Sequence, residues 1–134
     1  MNYDVNYFIK KFEAIPEDKW GVGDYERNGK CCAYGHCGMH KSNSQEGDAL
    51  EMLFRKTDIN VIGVNDGEDG RYKENHPKQR ILAALYDIKK LQQKEHVDIS
   101  KQFELTLHHT DITKQLAVLP VSETSDLITT NILQ

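Results

Sequence analysis

Apolar residues near the start of the chain recur with a helical period. Val5, Phe8, Ile9 and Phe12 stand at i, i+3, i+4 and i+7, one stripe of an amphipathic helix. Pro16 restricts Ile15 and ends that helix. Residues 17–23 then form a loop that carries the only tryptophan, Trp20, beside Gly21 and Gly23. A large aromatic on such a loop is read first as a plug over the core, and alternatively as the stacking wall of a ligand pocket. A second helix is predicted to open in the cysteine-rich run, with Gly29 just outside its start. Gly35 and Gly38 would leave a smooth strip on it, against which another helix packs closely. The third helix is predicted around Leu50, Leu53 and Phe54, with Asp48 and Glu51 as a capping box.

Beyond it the period changes. Ile59, Val61, Ile62 and Val64 form a short β-branched run that reads as a strand or extended segment, stopped by the turn-rich acidic residues 65–70. The fourth helix starts at Pro77, a residue suited to the first helical position. Ile81, Leu82, Leu85 and Ile88 form its apolar stripe, with Lys78, Arg80, Lys89 and Lys90 toward water. Further on, Phe103, Leu105 and Leu107 alternate with polar residues, a half-buried strand pattern, and a second apolar run precedes Pro120. The expectation is an α+β, mainly helical protein. A four-helix domain with one extended segment occupies residues 1–93, and a β-leaning appendage, a hairpin plus tail, occupies residues 97–134. That appendage is suited to contact with a protein partner or another copy of the chain.

Composition narrows the function classes. With 134 residues and a net charge of −4, the chain reads as one domain with an appendage. It offers no field favouring nucleic acid. An odd cysteine count with two adjacent thiols argues against a disulfide framework and for the reducing cytoplasm. Neither a signal peptide nor a membrane-spanning run is expected, and no cofactor is called for.

All three cysteines, Cys31, Cys32 and Cys37, lie within residues 29–40 together with His36 and His40. Zinc is one reading, since thiolate and imidazole are its usual ligands. However, Cys32, His36 and His40 along one helix would rise about 12 Å, too far for one ion, so His76 or Asp66 would have to help. The paired CxxC spacing of a structural site is absent. A second reading makes Cys31 or Cys32 a nucleophile with a lowered pKa at a helix N-terminus, with His36, His76, Asn65 and Asp66 as candidate partners. The third reading is close packing, with Asn65 and Asp66 turning the chain before the last helix. The expected ligand-binding residues are Trp20, Cys32, His36, Asn65 and Asp66, with no metal ligand and no catalytic residue assigned. Lys73, Lys78, Arg71 and Arg80 form a possible phosphate patch, weighed against an ordinary solvated face.

Four pieces, in order, carry a resemblance: Phe12-Glu13-Ala14-Ile15-Pro16-Glu17-Asp18-Lys19-Trp20, Cys31-Cys32-Ala33-Tyr34-Gly35-His36, Val64-Asn65-Asp66-Gly67, and Pro77-Lys78-Gln79-Arg80-Ile81-Leu82-Ala83-Ala84-Leu85. Together they resemble a family of small proteins of unknown function found in bacteria and their phages. The resemblance implies a small, mainly helical domain and no activity. Gly21 stands where many members have a cysteine. On balance the sequence points to a small accessory or binding protein, bacterial or phage-encoded; the alternative is a small thiol- or zinc-dependent hydrolase centred on Cys31 and Cys32.

Overall fold

The computed structural model describes residues 2–118, with side chains described to residue 106. It is mainly helical with one two-stranded sheet. Helix α1 (Val5–Glu13) begins at Asp4, whose carboxylate accepts the Tyr7 N–H at 2.8 Å. Its four stripe residues, Val5, Phe8, Ile9 and Phe12, are all buried. Each is worth roughly 1.5–3 kcal/mol of apolar burial. A 3-10 turn at Glu17–Lys19 follows Pro16 and delivers Trp20 onto the Phe12 ring, with centroids 5.2 Å apart. Trp20 is only 3% exposed, a core plug as expected.

The helix expected in the cysteine run is shorter than its spacing suggests and begins only at Ala33. Cys31 instead lies in a hairpin, β1 (Glu26–Arg27) against β2 (Lys30–Cys31), antiparallel. The two turn residues, Asn28 and Gly29, have φ of 55° and 79°. This is the pair of left-handed conformations that a two-residue hairpin turn demands and that Asn-Gly supplies most readily. Gly29 therefore sits in the turn rather than before a helix. Helix α2 is a single turn, Ala33–His36, with Cys32 as its N-cap. The close contact expected at Gly35 exists, but with backbone rather than with a helix: a Cβ there would lie 1.8 Å from the Tyr25 carbonyl oxygen. Gly38 has no part in that contact.

Helix α3 (Gln45–Arg55) starts one turn earlier than the expected Asp48 capping box. Its cap is Ser44, whose hydroxyl accepts the Gly47 N–H at 3.1 Å and donates to the Cys37 carbonyl at 2.6 Å. Leu50 and Phe54 are buried, as their spacing implies. The run expected to be extended is instead a helix, α4 (Val61–Asn65), capped by the Asn60 side chain. Its β-branched residues point to a strand, yet the helical i, i+3 pair Val61 and Val64 is buried, and Ile62 is 46% exposed. Tertiary contact overrides β-propensity here.

Helices α2, α3 and α4 end alike. In each, paired 6→1 and 5→2 backbone bonds close over a left-handed residue. The bonds are Met39 N to Tyr34 O with Gly38 N to Gly35 O, Ile59 N to Phe54 O with Asp58 N to Arg55 O, and Glu68 N to Gly63 O with Gly67 N to Val64 O. The left-handed residues are Gly38 (φ 88°), Asp58 (φ 59°) and Gly67 (φ 80°).

Helix α5 (Pro77–Val118) opens at Pro77, with the His76 ring nitrogen Nδ1 accepting the Lys78 N–H at 3.1 Å. Ile81, Leu82, Leu85 and Ile88 are buried, together with Ala84. Arg80, expected to face water, is 8% exposed and lies inside. Contacts divide the chain into two units, Met1–Gln93 and Lys94–Gln134. In the second unit the backbone is helical through Val118, so Phe103, Leu105 and Leu107 sit on helix rather than on the expected strand. Phe103 and Leu105 are exposed. The rest of the expected appendage, residues 119–134, lies outside the described residues.

Candidate functional site

The C-terminal end of α4 is tied to three other segments. Asn65 is 1% exposed, and its amide is used at both ends. Oδ1 accepts the Ala33 N–H at 3.0 Å, at the start of α2. Nδ2 donates to the Gly21 carbonyl at 3.0 Å and to Asp66 Oδ1 at 2.9 Å. Asp66 Oδ1 also accepts the Gly23 N–H at 3.1 Å. From the other side Arg80 reaches in, donating from Nε to the Val64 carbonyl (3.0 Å), from Nη2 to the Asn65 carbonyl (2.8 Å) and from Nη1 to the Glu74 carbonyl (2.8 Å). A planar guanidinium satisfies three diverging carbonyls where an ammonium does not. A five-residue helix has no stability of its own; these bonds hold it in place.

The geometry opens a cleft beside this junction. Gly23, Asp24 and Tyr25 line it together with Cys32, Tyr34, Val61, Ile62, Asn65 and Asp66, around a volume of about 50 Å³. The Tyr25 and Tyr34 rings meet edge to face with centroids 6.1 Å apart. Asp66 Oδ2 takes no hydrogen bond among the described residues, so this carboxylate holds the scaffold with one oxygen and keeps the other free. Three of the residues singled out from the sequence, Cys32, Asn65 and Asp66, therefore meet at one place. Trp20 and His36 do not line it. Their rings meet each other instead, tilted by 58° with centroids 4.6 Å apart.

Electrostatics decides what the thiols can do. Burial pushes the Cys32 thiol above its ordinary value, and the nearby Asp66 charge adds to that, outweighing backbone N–H bonds from Gly35 and Tyr34. Cys31 is raised by burial and by Glu26. Cys37 is pushed up to about 12, chiefly by burial. The N-terminal end of a one-turn helix does not overcome desolvation here, so the lowered pKa on which the nucleophile reading depends is not found at Cys31 or Cys32. Burial also lowers His36 to about 4, leaving its ring neutral near pH 7. Its Nε2 is buried without a partner among the described residues.

The expected line Cys32, His36, His40 does not form, because α2 ends at His36. His40 Nδ1 pairs with the Gly35 carbonyl at 3.0 Å. Among the described residues no three His, Cys, Asp or Glu side chains are placed to hold one ion. The basic patch also dissolves. Arg80 is internal, Arg71 is clamped on Asp69 at 2.7 Å, and Lys78 donates to the Glu13 carbonyl at 3.0 Å.

The sequence reading missed Arg80, Tyr25 and Tyr34. Arg80 stands at i−4 from Ala84 and i−8 from Ile88, both buried, and that spacing is the signal that would have placed it inside. Tyr34 between Ala33 and Gly35 offered a similar hint, while Tyr25 had none. No helix among the described residues is long and apolar enough to cross a membrane. Comparison with protein-family models, with characterised proteins and with solved structures finds no match.

Proposed function

We propose that the chain is a non-catalytic accessory protein of the cytoplasm that binds a small ligand or a side chain in the cleft between residues 23–25 and α4. One observation carries this reading. The polar groups that a hydrolase would need are spent on the scaffold, while the same residues frame a concave, partly aromatic surface. Asn65 has both ends bonded, Asp66 Oδ1 takes two donors, and the three thiols are held toward the neutral form. A nucleophile needs a thiolate and a base in reach, and burial works against the first at both Cys31 and Cys32. Clefts with few polar groups among apolar and aromatic walls are the usual form of a binding site.

The test is an amide NMR screen of the full chain against small fragments. Shifts confined to Tyr25, Cys32, Tyr34, Val61 and Asp66 support the cleft. Shifts confined to other surfaces would move the site elsewhere and sink this reading. The exposed Ile99, Phe103 and Leu105 of α5 suit a second role for residues 94 onward, contact with a protein partner or with another copy. Sedimentation of the full chain across a concentration range tests the self-association.

A further inference from the structure

The cleft has a definite charge and size. Asp66 and Asp24 border it, and among the described residues no lysine or arginine does. Asp24 is held by Arg27 at 2.8 Å, which leaves Asp66 Oδ2 as the uncommitted charge. The Tyr25 and Tyr34 rings supply the negative faces that attract cations. A volume of about 50 Å³ is a few times the roughly 10–15 Å³ that one water needs on the same measure, room for the head of a small molecule. Tyr34 and Val61 also line a second hollow of about 270 Å³ with Glu51, Arg55, Asp58, Ile59 and Asn60. There Arg55 is paired with Glu51 at 2.6 Å, so carboxylates outnumber cations along both hollows.

We propose that the cleft binds a primary alkylammonium group, with its –NH₃⁺ on Asp66 Oδ2 against the Tyr25 and Tyr34 rings and its alkyl chain running past Tyr34 toward the larger hollow. This rests on the binding role assigned above to the same cleft. A primary ammonium is small enough and brings three donors to an open acceptor. A tetramethylammonium ion has no N–H to give. A free amine and a lysine side chain present the same head and differ only at the far end of the alkyl chain.

The full chain is titrated by amide NMR with n-butylammonium, n-butyrate, n-butanol, tetramethylammonium and a lysine blocked as its N-acetyl methylamide. Butylammonium is expected to shift Tyr25, Tyr34 and Asp66, with tetramethylammonium clearly weaker. Asp66→Asn keeps an Oδ1 acceptor for the Gly23 N–H and the Asn65 amide but removes the charge, so it is expected to weaken butylammonium about tenfold; Tyr25→Leu is expected to cost about threefold. Tyr25 is 42% exposed, so that variant keeps the test open if Asp66→Asn unfolds. Tighter binding of the blocked lysine than of butylammonium assigns the site to a protein's lysine, and weaker binding assigns it to a free amine. If butyrate or butanol shifts these amides and butylammonium does not, the cationic assignment is wrong while the cleft survives. If no probe shifts them, the binding role falls as well. Unchanged affinity in both variants also overturns the proposal.

Discussion

Replacing Arg80 with methionine should be among the most damaging changes in the chain. The methylene stem would still pack, but three charge-assisted hydrogen bonds of 2.8–3.0 Å would disappear. Of the carbonyls left behind, Val64 keeps the Gly67 N–H that closes α4, whereas Asn65 loses its Arg80 bond in buried surroundings. Each orphaned buried carbonyl costs about 1–3 kcal/mol. The desolvation cost of the guanidinium itself is recovered, which offsets part of this. With the weaker losses at Val64 and Glu74 the net is about 2–3 kcal/mol, a sizeable part of the roughly 5–15 kcal/mol available to a domain. Arg80→Lys should recover less than half, since one ammonium cannot reach three diverging carbonyls. Urea denaturation monitored by Trp20 fluorescence reads both values from the midpoint at constant slope. A loss under about 1 kcal/mol, or full recovery with lysine, would mean that water already serves those carbonyls, and the junction at α4 would not be what holds that helix.

Four further outcomes rest on particular atoms. Gly35→Ala places a methyl 1.8 Å from the Tyr25 carbonyl, so thermal melting should show a loss of about 1–3 kcal/mol or more; an unchanged melting temperature would show that the hairpin is not seated there. Asp58→Gly relieves a non-glycine residue at φ 59° and should stabilise the fold by about 0.5–1 kcal/mol, read from a higher urea midpoint, the strain relief net of added unfolded-state entropy. His36 protonates near pH 4 when folded and near 6.5 when unfolded. The unfolded state thus binds more protons between those values, and stability should fall as pH drops from 6.5 toward 4; His36→Phe should flatten that slope in pH-dependent melts. A chain ending at Gln93 should remain helical by circular dichroism, and its aggregation would show that the later residues belong to the core.

Much of the helical framework was legible because its signals are local. The stripe of α1, the Pro77 start and the Ile81, Leu82, Leu85, Ile88 face each derive from period and cap chemistry. The departures have physical causes. The run Ile59–Val64 looks extended because β-branched residues favour strands, yet Asn60 caps it and Asn65 anchors it as helix. The Asn28-Gly29 turn is a readable hairpin signal, overshadowed by the cysteines after it. Arg80 reads as exposed because charge usually is, whereas three carbonyls gathered from α4 and residue 74 make an interior seat for it. Cys32, Asn65 and Asp66 were legible as a group, but Tyr25 reaches the same cleft only through the tertiary arrangement of the hairpin.

The claim that this cluster is scaffold and binding wall, rather than reactive centre, is tested most directly by alkylation of the native protein across pH, resolved by mass spectrometry at Cys32. The account predicts a midpoint above 9.0, the ordinary value from which burial and Asp66 raise this thiol. A midpoint near neutrality, with Cys32 modified well ahead of Cys31 and Cys37, would contradict it and make Cys32 a nucleophile.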